Sequence, residues 1–103
     1  MPGYQIERQI EWLPDAARDV ARLREFIRKD NPLAAKKASQ RLLSAVKILL
    51  KNPEVGMPGL DEACDMFRDL YVPFGQGGYT IRYRVDQHII LIVRVWHSRE
   101  ERG

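Results

Sequence analysis

Asn31-Pro32 stands between two long helical patterns and leaves only a very short link between them. On its N-terminal side, Ala16, Val20, Leu23 and Ile27 recur at intervals of four, three and four, which places them on one stripe of a helix running from Ala16 to about Lys29. Phe26 widens that stripe, and Asp15, just after the break at Pro14, is a good N-cap. On the other side, Ala35, Ala38, Leu42, Ala45, Val46 and Leu49 line one face of a second helix. Asn31 can cap it, and Pro32 sits in the first turn, where its missing N–H costs nothing. A link this short makes the helices antiparallel neighbours. "NPEVGMPG" then ends the hairpin with proline and glycine.

The flanks read as sheet. "YQIERQIEW" alternates, with Tyr4, Ile6, Ile10 and Trp12 on one face and only Arg8 breaking the set. "MFRDLYVPF" is a strand and "GQGG" a turn. "YTIRYRV" places Tyr79, Ile81, Tyr83 and Val85 on one face and Thr80, Arg82 and Arg84 on the other. "DQ" is a tight connection, and "HIILIVRVW", apolar on both faces near its start, reads as the central strand. The predicted fold is therefore α+β, in the order β-α-α-β-β-β. The last three strands form an antiparallel meander, the N-terminal strand joins them, and the helical hairpin packs on one face of a small, mostly antiparallel sheet. With 103 residues, a single domain spanning 1–103 is expected.

Composition narrows the function classes. No apolar run approaches bilayer length, and "MPGYQIERQIEW" has no basic region followed by an apolar one, so neither membrane nor signal peptide is expected. Cys64 is the only cysteine and reads as a small loop hydrophobe. It gives no disulfide and no metal cluster, and a reducing cytoplasm is the simplest location. No motif implies a cofactor or a metal; "GQGG" is too short a signal for a nucleotide loop. The net charge of +3 is uneven: Pro14 to Lys51 carries ten basic and four acidic residues, a local +6 that leaves −3 for the rest. Such a field steers a partner of opposite sign, either nucleic acid or an acidic protein.

A helical hairpin covers one side of the sheet. Arg82 and Arg84 share a face, as do Arg94 and Trp96, and these groups can converge on the open side, with Arg68 joining them. Guanidinium forks bind phosphate or carboxylate well. The same residues would equally serve as the polar face of a one-sided sheet, and alternation leaves both readings open. His97, at a strand end, can be a general base or a satisfied structural residue.

Taken in order, these elements resemble the RelE/ParE superfamily of type II toxin–antitoxin toxins, and most closely its ParE branch. The resemblance rests on Trp12/Pro14/Ala16, Asn31/Pro32/Ala35, Pro53/Gly56, Arg68, Tyr83/Arg84 and His97/Ser98/Arg99. It covers Trp12 to Arg99; each motif is weak alone, but their order and spacing are fairly specific. It implies a small cytoplasmic toxin, causing growth arrest and plasmid stabilisation. The toxin would be held in a hetero-oligomer by an antitoxin whose acidic, initially disordered segment folds on binding. Lys37, Arg41, Ile48 and Lys51 are the expected antitoxin contacts.

Within the superfamily, ParE-like toxins poison DNA gyrase and are not enzymes. That resemblance implies a target-binding set of Arg68, Arg82, Arg84, Arg94, Trp96, His97, Arg99 and Arg102, with no catalytic residue. RelE-like toxins are ribosome-dependent mRNA endoribonucleases. On that alternative Arg68, Arg82, Arg84 and His97 would be catalytic, activating the 2′-hydroxyl and stabilising the phosphorane. Such enzymes usually carry a tyrosine near the C-terminus, whereas here Ser98 follows His97, no tyrosine follows Tyr83, and the last lysine is Lys51. A plain basic nucleic-acid-binding module is a third reading, and predicts salt-sensitive binding by the isolated chain.

Overall fold

The computed structural model describes residues 8–58 and 67–98, with the side chain of Asp30 excepted. Strand β1 (Gln9–Trp12) leads into helices α1 (Pro14–Asp30) and α2 (Pro32–Lys51), followed by strands β2 (Met57–Pro58), β3 (Arg68–Phe74), β4 (Gly77–Asp86) and β5 (Ile89–His97). The sheet order is β1-β5-β4-β3-β2, with β1 parallel to β5 and every other pair antiparallel. The α+β prediction holds, with β2 as an addition that pairs only with Asp69 and Arg68 at the start of β3. Cys64, Tyr4 and Ile6 lie outside the described residues, as do Arg99 and Arg102.

Asn31 closes both helices. Its backbone N–H donates to Ile27 O at 2.9 Å, ending α1, and its Oδ1 accepts from Ala34 N–H at 3.1 Å, starting α2. The helix α1 begins two residues earlier than its sequence suggested, and Asp15 is not its cap. Leu13 occupies the cap without a side-chain bond, Pro14 takes the first turn, and Asp15 stands inside it, where a carboxylate favours the helix dipole. All six predicted core positions of α2 are buried. Phe26 does not widen the buried stripe of α1; it is 73% exposed.

The core lies between the hairpin and one sheet face. Tyr79, Ile81 and Tyr83 of β4 meet Ile90, Ile92 and Val95 of β5 beneath Leu23, Leu42, Val46 and Leu49. Each fully buried aliphatic side chain here stabilises the fold by about 2 kcal/mol. The middle strand is β4, not β5. Since β1 has only four residues and ends opposite Ile92, it covers only the first part of β5.

A bulge decides which residues of β5 face the core. Arg82 pairs with Arg94, yet Tyr83 pairs with Ile92, so Val93 is an extra residue. Without it, strict alternation would put Arg94 on the buried face with Ile90 and Ile92. With it, Val95 and His97 continue the core face while Arg94 and Trp96 turn to the open one.

The hairpin turns are short. Gly75 begins the β3–β4 connection at φ +62, a region that favours glycine. The β4–β5 connection falls at Gln87-His88, one residue later than "DQ", since Asp86 still pairs with Ile89. Among the described residues no helix is long and apolar enough to cross a membrane.

Candidate functional site

The open sheet face carries Asp69 and Tyr71 of β3, Thr80, Arg82 and Arg84 of β4, and Arg94 and Trp96 of β5. Arg82 and Arg94 do converge, on Trp96: their guanidinium carbons lie 5.1 and 5.5 Å from its ring centroid. Each also closes on a carboxylate. Arg82 grips Asp69 through Nε and Nη2 at 2.9 and 3.1 Å. Arg94 reaches Asp19 of α1 through Nε and Nη2 at 2.7 and 3.2 Å. A row of carboxylate, guanidinium, indole, guanidinium and carboxylate thus crosses the face, and its charges cancel. Arg84 makes no ion pair among the described residues.

Asp19 is 4% exposed. Burial pushes its carboxyl up, but hydrogen bonds from Arg94, the Val95 backbone N–H and Arg22 outweigh that and hold it below its ordinary value of 3.8. Sequence reasoning missed this residue, although a signal was present. Asp19 sits among Ala16, Val20 and Leu23 on the apolar stripe, and a carboxylate on a buried stripe requires partners.

Arg68 does not join the open face. It pairs with Tyr83 and so lies on the core side. There its Nη1 donates to Gly56 O at 2.8 Å and Glu54 O at 3.3 Å. The Tyr83 hydroxyl accepts from Gly56 N–H and donates to Pro53 O, both at 2.8 Å. Burial raises the Tyr83 phenol, opposed by the Gly56 hydrogen bond and by Arg68. Together these residues clamp the exit of α2. A Cβ at position 56 would meet the Tyr83 hydroxyl at 2.6 Å, which explains the glycine.

His97 faces the core side, its ring edge-on to Tyr79 with centroids 5.2 Å apart. Ser98 is tied to β4: its backbone N–H donates to Gly78 O at 2.9 Å, and its Oγ accepts from Gly78 N–H at 3.2 Å.

A second region lies between α2 and the outer edge of β3. Two adjoining hollows, of about 460 and 220 Å³, share Arg41, Ser44 and Pro73. Lys37, Gln40, Phe74 and Gly75 line the first, and Ile48, Leu70, Tyr71 and Val72 the second. From Leu70 to Phe74, β3 has no strand on this edge among the described residues. Lys37, Arg41 and Ile48, three of the four predicted antitoxin contacts, therefore line one groove; Lys51 ends α2 outside it. No group of three or more His, Cys, Asp or Glu able to hold a metal occurs among the described residues.

A family profile described as the ParE toxin of the type II toxin–antitoxin system parDE matches residues 10–102. The chain belongs to the ParE toxin family. The ParE-family chain is also similar to proteins named for the sister branch. Toxin RelE3 of Caulobacter vibrioides is 34% identical over 95 residues, covering 92% of this chain and 99% of that protein. Toxin RelE1 of the same organism is 32% identical over 87 residues, covering 84% and 89%. Among solved structures, the chromosomal ParDE system of P. aeruginosa gives a TM-score of 0.74 at 23% identity, over 90% of this chain and 98% of that one. The RelBE2 toxin–antitoxin complex of Mycobacterium tuberculosis gives 0.52 at 24%, over 88% and 98%. At these identities the structural likeness shows the fold.

Seen as a ParE-family chain, the motif residues divide by task. Trp12, Asn31, Pro32, Ala35, Gly56, Arg68 and Tyr83 build the hairpin, its exit and the core. Arg84 and His97 are left half-buried, on the open face and at the strand end, whereas Trp96, predicted as a target contact, is only 9% exposed beneath Arg82 and Arg94.

Proposed function

We propose that this toxin acts in the cytoplasm by poisoning DNA gyrase through its open sheet face and C-terminal ending, and that an antitoxin neutralises it. The observation that carries the choice against RNA cleavage is the pairing of Arg82 with Asp69 and of Arg94 with Asp19. Phosphorane charge needs preorganised cations free to meet it, and this face holds Arg84 as its cation without an ion pair among the described residues. His97 touches a tyrosine, but Tyr79 is 1% exposed, so its hydroxyl is withheld from an RNA strand. The family match over residues 10–102 supports the same reading. Target contacts are then Arg84, His97, Arg99 and Arg102, with Trp96 buried beneath Arg82 and Arg94 and holding the face in shape.

On this proposal the antitoxin's acidic segment lies in the groove between α2 and β3. Lys37 and Arg41 supply the charge, Ile48 and Leu70 an apolar floor, and β3 an edge to which an extended segment can add as a strand.

A second reading, ribosome-dependent mRNA cleavage, is favoured by the relatives named RelE3 and RelE1. A supercoiling and cleavage assay with gyrase, ATP and the freed toxin separates the two. The expected result is linear DNA that accumulates with dose and is suppressed by antitoxin. Undisturbed gyrase with mRNA cut on translating ribosomes would overturn the proposal.

A further inference from the structure

We infer that Asp19 is a positioning residue for the end of β5: a helix carboxylate that stands in for a missing strand and fixes the placement of Trp96, His97 and Ser98. The inference rests on the reading that this ending docks on the target.

Because β1 stops opposite Ile92, the outer edge of β5 from Val93 onward has no strand beside it among the described residues. The bulge falls at the same point. A bulged strand with an open edge is free to slip, and a slip of one residue would exchange Trp96 and His97 between faces. Asp19 prevents this by occupying the edge. Its Oδ2 accepts from Val95 N–H at 2.9 Å and from Arg94 Nε at 2.7 Å. Its Oδ1 accepts from Arg94 Nη2 at 3.2 Å and Arg22 Nη2 at 3.0 Å. One bond fixes the backbone and two fix the side chain of the neighbouring residue, so register and facing are held together. Arg94 carries that constraint to Trp96, over whose ring it lies. On the opposite side, the Ser98–Gly78 bonds hold the strand to β4.

Asp19 does not line the groove between α2 and β3. Target action and antitoxin binding should therefore separate on its substitution. The test compares the full-length toxin, freed from antitoxin, as wild type, Asp19→Asn and Asp19→Ala. Asparagine keeps an oxygen for Val95 N–H but loses the charge pair with Arg94; alanine loses both. In Asp19→Ala, amide exchange at Val95–Ser98 should quicken at least tenfold while β4 core amides hold. Asp19→Asn should fall between, and carries the comparison alone if the alanine variant does not fold. Both should need at least tenfold more toxin for growth arrest, with antitoxin affinity within twofold of wild type. Unchanged exchange at Val95–Ser98, or wild-type arrest by both variants, would overturn the inference. So would exchange rising uniformly along the chain with antitoxin affinity falling in step, the mark of a merely structural role. A truncation from Ser98 onward that still arrests growth would instead remove the docking reading, and the exchange data would still decide whether Asp19 holds the strand.

Discussion

Two basic regions of this toxin differ in how their charges are used. On the open sheet face, Arg82 and Arg94 are closed by carboxylates and stacked on Trp96. Along the groove between α2 and β3, Lys37 and Arg41 have no ion pair among the described residues and stand beside exposed Ile48 and an open strand edge. The lesson is that counting cations does not locate a polyanion site. A paired guanidinium contributes to stability and shape, whereas an unpaired one keeps its field for a partner.

The largest effect on this contrast is expected from Arg82→Ala. Its pair with Asp69 leaves the two side chains only 15% and 19% exposed, so removing the arginine strands a half-buried carboxylate. A loss of about 3 kcal/mol is expected in urea unfolding. A loss under about 0.5 kcal/mol, typical of a surface site, would mean the arginine is functional rather than structural. Next in size is Tyr83→Phe. It leaves the buried Gly56 N–H and the Pro53 carbonyl without the hydroxyl, and should cost about 1.5 kcal/mol. No change in melting would remove the clamp assigned to Arg68 and Tyr83.

The groove is tested by Lys37→Ala combined with Arg41→Ala. Stability should stay within about 0.5 kcal/mol, while antitoxin affinity falls about tenfold, about 1.4 kcal/mol. Raising salt should narrow that difference, because the contacts are screened. Equal antitoxin binding by wild type and variant at low ionic strength would move the antitoxin off this groove.

Much of the fold was legible because local signals agreed. The spacing of Ala35, Ala38, Leu42, Ala45, Val46 and Leu49, the cap of α2 at Asn31 and the alternation of Tyr79, Ile81 and Tyr83 all point to one architecture. The site was less legible, for two reasons. Alternation gives a residue's face only while the strand is regular, and the bulge at Val93 changes the phase midway along β5. Alternation also cannot show which strand end lies under a loop. Arg68 looked like a companion of Arg82, but its partner Tyr83 puts it beneath the α2 exit. The carboxylates Asp69 and Asp19, which neutralise the open face, are 50 residues apart in sequence and met there only through the fold.

The smallest predicted effect concerns acid. Asp19 is held below its ordinary value of 3.8 in the folded chain. A depressed carboxyl binds its proton less readily folded than unfolded, so its contribution is fully present above the unfolded value and is lost as pH falls through the folded one. Urea midpoints of the wild type should therefore drop more steeply than those of Asp19→Asn as pH is lowered from about 5 to about 2. Asparagine has no proton to gain, so the two curves should converge at the acid end. Parallel curves would mean that burial, which pushes the carboxyl up, balances the bonds from Arg94, Val95 and Arg22. The open face would then be held by packing around Trp96 rather than by its closed charges, and the contrast with the groove would rest on shape alone.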